Sequence, residues 1–168
     1  MKTVFFALLM FLQIMVVAQI AKPVTNAELK ALVGTWTGTL VATGFVDGKN
    51  QHTYTTALEV VDMQDSLMFN FTFTGEGGKQ LIEKYPLRIY DNGDKLSFDS
   101  TQFEITDIRR RGIRLTMYAE REGYDQNRRV EWQHVFIIGP GILYITKGIR
   151  YPDMIDFSIQ KRLILTKK

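Results

Sequence analysis

A succession of short strand-like segments, separated by turn signals, is the feature that most constrains how this chain can fold. The clearest segment runs from 67 to 74 and alternates strictly, with Leu67, Phe69, Phe71 and Phe73 on one face and mostly polar residues on the other. Similar runs recur at a spacing of about 8–12 residues, with Gly, Pro, Asn and Asp between them. This spacing predicts a β-sandwich or a β-barrel.

We predict ten strands, over residues 35–43, 53–62, 67–74, 80–90, 95–99, 102–109, 113–122, 129–138, 142–150 and 155–166. Pro86 makes the middle of the fourth segment an edge or a bulge. Short turns such as Asp91-Asn92-Gly93-Asp94 favour consecutive hairpins. An open meander of this size would leave two exposed edges, and closure removes them. The predicted fold is therefore all-β, an up-and-down antiparallel β-barrel of about 8–10 strands, preceded by one short helix.

The segment around Trp36 links that helix to the first strand. Thr25 and Glu28 have the spacing of a capping box, which predicts a helix over about residues 26–33. Gly34 suits the end of a helix and a sharp turn into a strand. We expect the Trp36 indole to be buried as a plug at one end of the barrel, and Gly38 to leave room for close packing.

The N-terminus has the pattern of a secretory signal peptide. Lys2 precedes an apolar run over 3–18, which ends in small residues at Val16-Val17-Ala18. Cleavage after Ala18 leaves a single domain over 19–168; cleavage after Ala21 is the second choice. The run is short for a membrane span, so we expect a secreted or periplasmic protein without a membrane span after cleavage.

Composition narrows the function classes. The chain has no cysteine, which excludes disulfides and a lipidated cysteine. The net charge is only +3, and the dense basic spots, 109–111 and 128–129, lie beside turn signals. A nucleic-acid-binding protein would need a broader basic surface with exposed aromatic residues, so we expect no nucleic-acid partner.

Gly34-Thr35-Trp36, placed after a short helix and before a strand meander, resembles the Gly-x-Trp motif of the lipocalins and the wider calycin superfamily. The sequence is also similar to secreted lipocalin-like bacterial proteins of unknown function. In that superfamily a basic residue of the last strand packs across the Trp. By position Arg162 is the best match, with Lys161 the fallback. The resemblance implies a barrel that holds a small apolar ligand.

Candidate ligand-binding residues are aromatic or polar residues that we expect to face the barrel interior. His134 shares a strand face with Trp132 and Phe136, and it is either a satisfied core residue or a polar anchor in an apolar cavity. The full set of candidates is Phe69, Phe71, Tyr85, Trp132, His134, Phe136 and Tyr144.

The sequence offers no recognisable catalytic or metal motif. It contains no Gly-x-Ser-x-Gly elbow and no spacing typical of transition-metal ligands. We therefore expect no cofactor, no metal and no catalysis, and a protein that binds a small apolar or amphipathic molecule. Two alternatives stay open. One is a structural or interaction module of the cell envelope with a filled barrel, which uses the basic turns. The other is a barrel-based isomerase or hydrolase.

Overall fold

The computed structural model describes residues 22–43 and 51–168. Within these ranges, helix α1 spans Asn26–Leu29 and continues as a 3₁₀ turn over Lys30–Leu32. The strands are β1 Gly34–Thr43, β2 Gln51–Asp62, β3 Leu67–Thr74, β4 Gln80–Tyr90, β5 Lys95–Phe98, β6 Thr101–Arg111, β7 Arg114–Asp125, β8 Arg128–Gly139, β9 Ile142–Arg150 and β10 Ser158–Lys167. The predicted signal peptide, 1–18, lies outside the described residues. No helix in the described part of the chain is long and apolar enough to cross a membrane.

The strands form one closed antiparallel barrel. Each strand pairs with its neighbours in sequence, and β1 pairs with β10 to complete the circle. The closing ladder runs from Trp36 opposite Lys167 to Ala42 opposite Lys161. Because β1 and β10 pair with each other, each has a hydrogen-bonded neighbour on both sides and neither is an exposed edge. The predicted fold class is confirmed, and the predicted strand boundaries are correct to within three residues.

Helix α1 begins with the predicted capping box. The Glu28 amide donates to Thr25 Oγ1 at 3.3 Å, and the Thr25 amide donates to Glu28 Oε2 at 3.0 Å. Arg110 of β6 ties this segment to the barrel, because its guanidinium pairs with Glu28 at 3.1 Å and donates to the Lys22 and Pro23 carbonyls. The helix is therefore fixed across one end of the barrel.

Trp36 closes that end, as predicted. Its side chain is 2% exposed, and its indole Nε1 donates to the Leu32 carbonyl at 2.8 Å. Gly34 makes the turn into β1 with a φ of +127°, a backbone conformation that favours glycine. At Gly38 the close approach comes from the β10 backbone, since an added Cβ would lie 1.9 Å from the Ile164 carbonyl oxygen.

The basic residue over the Trp36 indole is Lys167, which corrects the expectation for Arg162. Lys167 Nζ lies 5.3 Å from the indole ring centre and donates to the Ala31 carbonyl at 2.9 Å. Arg162 is exposed and sits opposite Val41. Lys161, the alternative candidate, faces the interior like Leu163, but it lies at the end of β10 that is far from Trp36. Because side chains alternate along a strand, only the residues in phase with Leu163 can face the interior.

The half of the barrel next to the Trp36 plug is filled by side chains. Its core includes Phe69, Met117, Leu143 and Leu165, each 1% exposed or less. Aromatic rings meet near the middle, where Phe98 lies edge-on to Phe69 and Phe136 at centroid distances of 5.8 and 5.3 Å. The interior cavity described below is instead lined by residues toward the opposite end of the barrel.

At the opposite end, which we call the open end, β5 is much shorter than β4. The β4–β5 ladder covers only Leu87–Tyr90 of β4, while residues 80–86 pair with β3 alone. Pro86, which has no N–H to donate, is the first residue beyond that ladder. The prediction of a local edge at Pro86 is confirmed, and the short β5 leaves the wall incomplete beside it.

Candidate functional site

A cavity lies inside the open end of the barrel. It is lined by residues of seven strands and the turn after β5: Leu40, Phe71, Phe73, Glu83, Tyr85, Phe98, Asp99, His134, Ile145, Lys147, Lys161 and Leu163. The cavity volume is about 70 Å³. Ligand pockets are typically about 300–1,000 Å³, so this cavity is smaller than most of them and has room only for a compact group.

One wall of the cavity is aromatic. Phe71 stacks on Phe73 with ring centroids 5.2 Å apart, and Tyr85 lies 5.5 Å from both Phe71 and Phe98. Alternation on β3 places Phe71 and Phe73 on the inner face. The four rings offer apolar contact area with little rotational freedom, which suits an aromatic or aliphatic ligand.

Tyr85 also brings a polar group to this wall. Its hydroxyl donates to the Glu83 carboxylate, two residues earlier on the same face of β4. Burial and this hydrogen bond to Glu83 raise the pKa of Tyr85 well above its ordinary value. The Tyr85 hydroxyl therefore stays protonated at neutral pH, and it occupies part of the hydrogen-bonding capacity of Glu83.

The facing wall is polar and positively charged. His134 of β8, Lys147 of β9 and Lys161 of β10 are consecutive cross-strand partners, and all three line the cavity. Arg121 of β7 lies one strand beyond, opposite Trp132. Lys147 Nζ sits 4.8 Å from the centre of the Trp132 ring, and the Arg121 guanidinium lies 5.6 Å from that of Phe103.

His134 is held neutral in this setting. Its side chain is 6% exposed and packs edge-on against Phe103 at 4.7 Å and Phe98 at 5.6 Å. Burial and the positive charges of Lys147, Arg121 and Lys161 lower the pKa of His134 from 6.5 to about 3. Its Nδ1 is buried and has no hydrogen-bond partner in the described structure. Such an unpartnered nitrogen costs free energy unless a ligand or water satisfies it.

The candidate residues from the sequence fall into three groups. Phe71, Tyr85 and His134 line the cavity. Phe69 and Phe136 are buried closer to the Trp36 plug, and Trp132 is buried beneath Lys147. Tyr144 points outward, opposite Ile137 and Ile164 on the half-buried outer surface. Placing Tyr144 inside the barrel was wrong, because Leu143 and Ile145 on either side of it occupy the inward positions.

Sequence reasoning missed the two lysines. Lys147 is in phase with Leu143 and Ile145, and Lys161 is in phase with Leu163 and Leu165. Extending the apolar alternation by one step toward the strand end would have placed both side chains inside. The sequence suggested Lys161 only as an alternative residue for packing on Trp36, and it did not suggest Lys147 at all.

The basic turns are largely neutralised by neighbouring carboxylates. Arg109 pairs with Asp107 at 2.6 Å, and Arg129 pairs with Glu122 at 2.6 Å. Arg128 pairs with Asp153 at 3.3 Å. The turn over 109–111 lies at the plug end and the turn over 128–129 at the open end, so the two do not form one basic surface. Among the described residues no group of three or more potential metal ligands comes together.

The fold is shared with a solved structure, while sequence comparisons find nothing. No protein-family model matches this chain, and no curated protein matches it. The crystal structure of Rv2717c from M. tuberculosis is similar, with a TM-score of 0.59 and 14% sequence identity over 84% of this chain and 96% of that chain. At this identity the likeness shows a common fold alone.

Proposed function

We propose that this protein is a lipocalin-like binding protein, exported by its N-terminal segment, that holds a small amphipathic molecule at the open end of its barrel without catalysing a reaction. The observation that supports this most is the cavity, which places an aromatic wall opposite a polar one. Apolar walls with a few converging polar groups are typical of ligand sites. The incomplete wall beside β5 offers a route into the cavity.

The size of the cavity restricts the ligand. Because the plug half is filled by side chains, a long acyl chain has no channel to follow. The cavity is only about 70 Å³, so the proposed ligand is compact, with one ring or a short chain. We therefore propose a narrower ligand class than the resemblance to lipocalins alone implies.

The envelope-module alternative receives less support. That alternative requires the arginines of the two basic turns to form a cationic surface that is available to an anionic partner. Carboxylates lie within 3.3 Å of Arg109, Arg110, Arg128 and Arg129, and such pairing reduces the field available to an anionic polymer. The cavity remains the stronger basis for a function.

Ligand-observed NMR and thermal-shift measurements with a panel of small aromatic and short-chain alcohols, amides and carboxylates test the proposal. Leu163→Phe adds a ring on the cavity wall, and Ile164→Phe adds the same ring on the outer surface of the same strand. We expect panel binding by the native protein and by Ile164→Phe, and a loss of at least about tenfold in affinity for Leu163→Phe, which corresponds to about 1.4 kcal/mol. No binding across the panel, or equal binding by a folded Leu163→Phe protein, contradicts the proposal.

A further inference from the structure

Among the residues that the structure describes, no carboxylate forms an ion pair with the positively charged wall of the cavity. Lys147 and Lys161 are direct cross-strand partners on the inner face, so their Cβ atoms are about 4.5–5.5 Å apart. Neither lysine takes part in an ion pair among the described residues, and neither does Arg121. Arg121 Nε is buried without a hydrogen-bond partner in the same part of the chain. Three cationic side chains therefore converge near His134.

Two carboxylates line the same cavity, and neither neutralises this wall by contact. Glu83 accepts the Tyr85 hydroxyl hydrogen on the aromatic side. Asp99 lies in the turn after β5 and is exposed. Burial, Lys161 and Arg121 lower the pKa of Lys147, and Asp99 acts in the opposite direction. Burial contributes most to this lowering of the pKa, and among the charges the effect of Lys161 is larger than the opposing effect of Asp99.

An anionic oxygen group would satisfy this wall. Two ammonium groups on adjacent strands can each donate to one oxygen of a carboxylate, and such charge-assisted hydrogen bonds are stronger than neutral ones. The neutral imidazole of His134 adds no charge that the ligand must balance. The rings of Phe71, Phe73, Tyr85 and Phe98 then contact the apolar part of the same ligand.

We propose that the ligand is a small monocarboxylate, with its carboxylate between Lys147 and Lys161 and its apolar part against the aromatic wall. This inference rests on the proposed function, and it adds the charge and the orientation of the ligand. A neutral or cationic amphiphile of the same size would leave the two lysines unpaired, and the cavity discriminates against it.

A matched set of probes separates this inference from the proposed function. Phenylacetate, phenethyl alcohol and phenethylamine share a ring and a similar length, and they differ in charge. Titration calorimetry with the native protein is expected to show phenylacetate binding at least about 30-fold tighter than phenethyl alcohol, with phenethylamine weaker still. Acetate, which lacks the ring, is expected to bind much more weakly than phenylacetate.

Variants test which side chains hold the carboxylate. Lys147→Gln and Lys161→Gln should each weaken phenylacetate binding by about tenfold, with little effect on phenethyl alcohol. Lys84→Gln is the control, because Lys84 is exposed on the outer face of β4 between Glu83 and Tyr85 and its substitution changes the net charge equally. Asp99→Asn should strengthen phenylacetate binding, since it removes a competing anion. Thermal melts establish that each variant is folded.

The outcomes are distinct. If phenethyl alcohol binds as tightly as phenylacetate, or if the lysine variants bind phenylacetate like Lys84→Gln, the carboxylate inference is wrong and a ligand site in the cavity remains. If no probe binds the native protein and the wider panel also fails, the inference and the proposed function are both wrong.

Discussion

His134 should make the barrel lose stability as the pH falls below about 6.5. Burial of the imidazole, together with the positive charges of Lys147, Arg121 and Lys161, lowers its pKa to about 3 in the folded protein. In the unfolded chain the same group has its ordinary pKa of 6.5. Between these two values the unfolded state binds a proton that the folded state does not bind, so acidification favours unfolding.

The magnitude follows from the two pKa values. Each pKa unit corresponds to about 1.4 kcal/mol. At about pH 7 both states are mostly deprotonated and the penalty is small. At about pH 5 the unfolded state is protonated and the folded state is not, which gives a loss of about 2 kcal/mol from this one residue. The full effect, about 5 kcal/mol, is reached only below the folded-state pKa of about 3.

Urea denaturation at several pH values, followed by tryptophan fluorescence, measures this loss. The informative quantity is the difference in free energy of unfolding between the native protein and His134→Leu, because the carboxylates contribute nearly equally to both curves. Between about pH 7 and about pH 5, the free energy of unfolding of the native protein should fall by about 2 kcal/mol more than that of His134→Leu. His52→Gln, which removes the exposed histidine of β2, is the control for the general effect of removing an imidazole. Parallel curves for the native protein and His134→Leu would refute the reasoning.

Two further predictions concern the plug. Trp36→Ala should lower the free energy of unfolding by about 3–5 kcal/mol, because it leaves a cavity in the core and removes the indole N–H that donates to the Leu32 carbonyl at 2.8 Å. A loss below about 1 kcal/mol in urea denaturation would contradict the burial of Trp36. Gly38→Ala should destabilise by about 2 kcal/mol or more, because the added methyl meets the Ile164 carbonyl. An unchanged melting temperature for Gly38→Ala would show that β1 and β10 are further apart than described.

The alternation of apolar residues explains why the fold could be predicted. Phe69, Phe71 and Phe73 mark one face of β3, and turn residues mark where each strand ends. Those signals are local, so each can be recognised without knowledge of the rest of the molecule. The capping box at Thr25 and Glu28 is local in the same way. The burial of Trp36 followed from its position between helix and meander.

The candidate site was predicted only in part. The alternation of inward and outward side chains along each strand was applied to the apolar residues and not to the polar ones. Tyr144 was placed inside on its aromatic character, although Leu143 and Ile145 already held the inward phase. Lysine is usually exposed, so the residue type of Lys147 gives no sign that it faces the interior. Arg162 was chosen by its position near the end of the chain, and the β1–β10 register instead brings Lys167 to Trp36.

By itself, the sequence determined the strand succession, the helix that precedes it and the indole that closes one end, because these depend on periodicity and on residues a few positions apart. Only the tertiary structure decided that Lys147 and Lys161 face one another, and that both lie beside His134. Those facts depend on the register between strands that are distant in sequence. That register is set by the packing of the whole barrel, and no local pattern contains it.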